Sequence, residues 1–112
     1  MTTATNPVLN YAQELCTALT EDYNHQYPNG SDLGFRIESG RKYFKVIQTE
    51  NRGGQRRDGS VHAFIDKKNG NVYKPASWKS PAKHVRYNLL DENSRNLCLN
   101  RASWAGGYLY LR

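Results

Sequence analysis

The sequence predicts an α+β fold: an antiparallel sheet of four or five strands packed against a long N-terminal helix, with a second helix near the C-terminus. Three observations point there. Apolar residues from Val8 to Tyr23 recur at helical steps, those from Leu33 to Lys74 alternate in short runs between turn signals, and Asp91 to Ala102 returns to helical steps. At 112 residues the chain is read as one domain, 1–112, with residues 1–5 as a flexible tail.

Asn6-Pro7 opens the first helix. Asn is a good N-cap, and proline at the first helical position loses an N–H that has no partner there anyway. Val8, Ala12, Leu15, Leu19 and Tyr23 then form one apolar stripe of a helix spanning about Pro7 to Asn24. Tyr27-Pro28-Asn29-Gly30 ends it.

A hairpin follows, with Leu33–Glu38 and Arg41–Glu50 flanking Ser39-Gly40. A two-residue turn there sets Phe35 opposite Phe44 and Leu33 opposite Val46. Leu33, Phe35, Ile37, Phe44 and Val46 then share the face that packs on the helix. The other face holds Arg36, Tyr43, Lys45, Ile47, His62 and Phe64, and is to be covered by Pro75–Leu90 or by a partner chain. Residues 51–59, NRGGQRRDG, contain no apolar residue and read as a mobile loop. Ser60–Asp66 is a third strand, Lys67–Asn71 a turn, and Val72–Lys74 a fourth strand.

Pro75–Pro81 is irregular and carries Trp78, and Ser80-Pro81 is able to start a short helical turn. Asp91 caps the second helix, whose Leu97, Cys98 and Ala102 are expected to face the core until Gly106-Gly107 stops it. Tyr108–Leu111 alternates and fits either a last strand or a docked extension.

The composition narrows the chemistry. No apolar run approaches the ~20 residues that span a membrane, and Met1–Asn6 lacks the features of a signal peptide, so a cytoplasmic location is expected. Cys16 and Cys98 sit beside apolar residues and read as reduced, buried thiols. No histidine stands at ligand spacing from them, so neither a metal nor another cofactor is expected. There is no P-loop, no nucleophile elbow and no paired-histidine motif. His62 is the best acid–base candidate, but as a half-exposed strand residue beside Phe64 it lacks a partner and a pocket, and no catalytic residue is assigned.

Two basic clusters stand out from a net charge of +6. Arg52, Arg56 and Arg57 lie in the polar loop. Lys74, Lys79, Lys83, His84 and Arg86 run alongside Tyr73, Trp78 and Tyr87. Cations beside rings suit single-stranded nucleic acid, because the cations meet phosphates and the rings stack on bases. The plain alternative is that Trp78 and Tyr87 bury while the lysines stay solvated.

From Val61 onwards the phrases VHAFIDKKNGNVYKPASWKSPAKHVRYNLL and NRASWAGGYLYLR resemble small uncharacterised proteins of tailed phages infecting marine bacteria, cyanophages among them, and of marine metagenomes. The resemblance covers residues 61–112. It implies an infected host cytoplasm or a virion as the setting and carries over no activity and no site residue. Three readings follow. The first is a phage-type accessory protein that binds a protein partner or itself. The second is a basic nucleic-acid-binding module, and the third an enzyme of unrecognised type.

Overall fold

The computed structural model describes residues 6–28 and 32–110, except the side chain of Arg52. The expected 1–5 tail and the Asn29-Gly30 turn lie outside the described residues. The architecture is α+β: helix α1 (Pro7–Gln26), strands β1 (Leu33–Ser39), β2 (Tyr43–Arg52), β3 (Gln55–Asp66), β4 (Asn71–Tyr73) and β5 (Tyr87–Asn88), helix α2 (Glu92–Arg101) and a 3-10 turn, Gly107–Leu109. The five strands form one antiparallel sheet in sequence order, so each strand pairs with its chain neighbours.

Helix α1 starts as its residue types dictate. The Asn6 side chain accepts the Val8 N–H at 2.8 Å, and Pro7 occupies the first turn. Val8, Ala12, Leu15, Leu19 and Tyr23 are all buried. The first four close over Phe44, Val46, Ala63, Ile65 and Val72 from the sheet, with Leu89, Cys98 and Leu109 completing the core.

The β1–β2 hairpin turns two residues later than Ser39-Gly40. Gly40 N–H donates to the Tyr43 carbonyl, so Arg41-Lys42 forms the turn. Phe35 stands opposite Gln48, and Val46 opposite Ile37. The slip is four positions in register, an even number. Phe35 and Phe44 therefore keep the same face although they are not opposed.

Residues 51–59 are not a loop. Asn51 and Arg52 end β2, Gln55–Gly59 begin β3, and only Gly53-Gly54 turns. Their φ values of 59° and 83° are the left-handed pair that a tight two-residue hairpin needs. The stretch carries no apolar pattern because this end of the hairpin is exposed on both faces and is held by backbone ladder bonds.

Two register shifts interrupt the β2–β3 ladder. Val46 pairs with Ala63 but Ile47 with Val61, which leaves His62 without a partner on β2. Such a bulge reverses the alternation beyond it. Val61 consequently lies across from Ile47 rather than on the Ala63 face, and His62 is buried against Phe35 and Tyr108 instead of standing half-exposed beside Phe64.

The C-terminal third departs most from expectation. Ser80-Pro81 starts no helical turn. Instead Pro75 bridges Pro81, and the loop between them is closed by Ala76 N–H and Ser77 N–H donating to the Ser80 carbonyl. The fifth strand is Tyr87–Asn88, whereas Tyr108 and Leu109 lie buried in the 3-10 turn, as a docked extension rather than a strand. Asp91 caps α2 as expected, accepting from Ser94 N–H at 2.9 Å. Cys98 faces the core, whereas Leu97 is 47% exposed and Leu99 packs inward in its place. The helix ends at Arg101, before Gly106, whose φ of 84° opens the 3-10 turn instead.

Candidate functional site

The residues that converge on the outer face of the sheet come from three places. On β2, Tyr43 and Lys45 share the face away from α1, and Lys45 stands opposite Phe64 on β3. Phe64 in turn pairs with Tyr73 on β4. The Tyr43 ring packs edge-on against both Phe64 and Tyr73, at 5.7 and 6.1 Å between centroids. Packing on the neighbouring strands therefore fixes these rings.

The Pro75–Pro81 loop supplies the third element, with Ser77-Trp78-Lys79 at its tip. The Ser77 hydroxyl oxygen accepts the N–H groups of Lys79 and Ser80, both at 3.2 Å, which tightens the tip into a serine turn. Trp78 remains 45% exposed, and its ring lies 5.2 Å from the Lys45 ammonium. The same ammonium sits 5.7 Å from the Phe64 ring. Lys45 is thus held between two aromatic faces by cation–π attraction, and its nearest carboxylate is Glu38 at 3.9 Å.

Beside this cluster is a shallow hollow of about 200 Å³ lined by Glu38, Arg41, Lys42, Tyr43, Lys45, Phe64 and Lys79. Four cations face one carboxylate, and the Lys42 ammonium lies over the Tyr43 ring at 5.4 Å. The arrangement offers positive charge to an anion and ring surface to a planar group.

The residues singled out from the sequence do not all meet here. Trp78 and Lys79 do. Tyr87 is buried in the core, and its hydroxyl donates to the Tyr108 carbonyl at 2.9 Å. Arg86 ties the chain together: Nε donates to the Leu109 carbonyl at 2.6 Å, and Nη1 to the carbonyls of Lys83 and His84. Lys83 and His84 are exposed on that segment, and His84 has a φ of 75°. The Lys74 ammonium lies over the Tyr110 ring at 4.3 Å, on a different cleft.

Arg56 and Arg57 lie on the β2–β3 hairpin. Arg56 pairs with Asp32 at 3.0 Å, and its guanidinium lies over Gly34, where any Cβ would collide with it. Arg57 donates to Gln55 at 3.3 Å. The Arg52 side chain lies outside the described residues. Nearby, Asp58 accepts from Arg36 Nε and Nη2 at 2.9 and 2.7 Å, and this hydrogen bonding lowers its carboxyl pKa.

Arg41, Lys42 and Lys45 were absent from the sequence-derived clusters. The alternation along β2 places Tyr43 and Lys45 on the outer face, but nothing in the periodicity puts the Trp78 loop beside them.

His62 borders a second cleft of about 270 Å³ with Gln48, Ser60, Lys74, Trp104 and Tyr110. Its Nε2 lies 2.8 Å from the Tyr108 hydroxyl, and burial lowers its pKa from 6.5 to about 4. Asp66, four residues on, does not orient it. The Asp66 Oδ1 accepts the N–H groups of Lys68 and Asn69 in the β3–β4 turn. Cys16 and Cys98 are free thiols, both pushed up to about 12 by burial. Among the described residues no three His, Cys, Asp or Glu side chains are grouped to hold a metal ion, and no helix is long and apolar enough to cross a membrane.

The chain belongs to a family of unknown function (DUF7717), whose profile matches residues 1–111. No curated protein and no solved structure matches it.

Proposed function

We propose that this member of the family is a phage-type accessory binding module whose outer sheet face takes a single-stranded nucleic acid. The observation that carries the reading is the stack of Trp78, Lys45 and Phe64, fixed beside a hollow lined by Arg41, Lys42 and Lys79. A half-exposed indole on a tightened loop can stack on a base. The surrounding cations suit the phosphates on either side of that base. Base edges are not addressed, because the hollow offers charge and ring faces rather than paired donors and acceptors, so the binding is expected to tolerate any sequence. The infected host cytoplasm or virion that the resemblance of residues 61–112 implies belongs to the same proposal.

Fluorescence anisotropy with a labelled oligothymidylate tests it. Affinity should fall as salt rises, with a log–log slope of about −0.7 for each phosphate neutralised. Trp78→Ala should weaken binding about 5- to 150-fold, the range for losing one stacked base. Lys79→Glu should weaken it and flatten the salt slope. Equal affinity of Trp78→Ala and the native chain, or binding that ignores salt, overturns the reading.

A further inference from the structure

We propose that two copies of this chain pair through β1, edge to edge and antiparallel about Ile37, joining their sheets into one. The first ground is the state of the edge. β1 is the outermost strand, seven residues long, and bonded to β2 on one side only. It contains no proline and no lysine, the residues that usually blunt an exposed edge.

The second ground is the direction of its free backbone groups. Asp32 and Gly40 bond across to Asn51 and Tyr43. In an antiparallel ladder the bonded positions alternate, so Gly34, Arg36 and Glu38 also turn towards β2. The N–H and C=O groups of Phe35, Ile37 and Ser39 therefore aim outward. A twofold pairing about Ile37 sets Ile37 opposite the partner subunit's Ile37, and Phe35 opposite the partner subunit's Ser39. These are the positions whose backbone groups are free to exchange bonds.

Charge selects that register. Arg36 and Glu38 lie on the outer face, about half-exposed and 3.3 Å apart within the chain, with Asp58 on the far side of Arg36, and pairing about Ile37 extends this row of alternating charge by placing each opposite its complement. Arg36 then meets the partner subunit's Glu38, and Glu38 meets the partner subunit's Arg36. Both pairs fall at non-bonded positions, where side chains across a ladder come closest. Pairing about Phe35 sets Glu38 against the partner subunit's Asp32, and pairing about Arg36 sets two arginines face to face.

The inner side of the same edge is apolar. Phe35 and Ile37, with Leu9, Cys16 and Phe44, line an open groove of about 430 Å³ beside α1. The twofold brings the two grooves together across the joined edge. The surface is thus complementary to itself, as a closed dimer requires. This pairing does not depend on the nucleic-acid reading, since it uses the strand edge and not the Trp78 loop.

Sedimentation velocity on the full chain, without nucleic acid, tests the pairing. The native protein should sediment at twice its 12.8 kDa mass at high concentration and dissociate on dilution. Arg36→Glu and Glu38→Arg should each be monomeric, and an equimolar mixture of the two should recover the dimer. Ser39→Pro removes an outward N–H while leaving the β1–β2 ladder intact, and should also be monomeric. Circular dichroism of each variant separates lost pairing from lost fold. A native chain that stays monomeric at the highest soluble concentration overturns the proposal. So does a dimer that survives both charge variants, or a mixture of folded variants that remains monomeric.

Discussion

His62 shows how one inserted residue changes the chemistry of a side chain. Because it has no partner on β2, its ring turns into the interior, 8% exposed, stacked on Tyr108 and edge-on to Phe35. Burial disfavours the imidazolium, and its pKa falls to about 4. Between pH 6.5 and 4 the unfolded chain binds a proton here that the folded chain refuses. Stability therefore rises with pH across that window and levels off above it, and acidification through it should cost about 3 kcal/mol. Urea titrations at pH 7.0 and 4.5 should show the loss in the native chain and a smaller one in His62→Phe. Equal losses in the two would mean that this ring takes up its proton as readily inside the fold as in the unfolded chain. Tyr108→Phe removes the hydroxyl 2.8 Å from Nε2 and should destabilise by about 1–3 kcal/mol, the cost of an unsatisfied buried polar atom.

At the scale of elements, α1 and the β2–β3 hairpin are stabilised in opposite ways. The helix rests on apolar burial. Leu15 and Leu19 are fully buried over the sheet, so Leu15→Ala should cost about 2–5 kcal/mol by chemical denaturation. The exposed end of the hairpin buries nothing and depends on its turn and ladder. Asp58 and Arg36 reinforce it, but so exposed a pair contributes little. Replacing Gly53 and Gly54 together by valine should open this end while the core stays folded. Faster trypsin cleavage after Arg56 and Arg57, at an unchanged melting temperature, is the expected readout. Equal cleavage rates would show that the turn conformation is not what holds the strands together.

At the scale of the molecule, α1 is locked to α2 and the segment that follows it. The Trp104 ring packs edge-on against Tyr23 of α1 and Tyr27 at its C-cap, at 5.1 and 5.8 Å, and its backbone N–H donates to Asp22 at 3.1 Å. On the other side Arg95 of α2 lies over the Tyr11 ring at 4.1 Å. With α1 joined both to the sheet and to the C-terminal segment, unfolding should be a single cooperative step. Tryptophan fluorescence and far-ultraviolet dichroism should give coincident denaturation curves. A separate early fluorescence transition would mean that the C-terminal segment detaches before the sheet melts.

Whatever depends on spacing along one segment could be read from the sequence. The caps Asn6 and Asp91, the stripe of α1 and the alternation of β1 and β2 come from local periodicity, because an N-cap or a strand face is settled by residues a few positions apart. The turn at Arg41-Lys42, the bulge at His62 and the two-residue β5 could not be read this way. Each depends on what a distant strand or helix requires of the backbone. The candidate site divides along the same line. Trp78 and Lys79 are visible as a basic aromatic phrase, while Arg86 and Tyr87 belong to the same phrase and serve the core. Lys45, more than thirty residues earlier, reaches Trp78 only because the sheet carries β2 beneath the 75–81 loop. Composition supplied the charge and the rings. Only tertiary packing decided which of them share a surface, because contact between segments far apart in the chain leaves no period in either one.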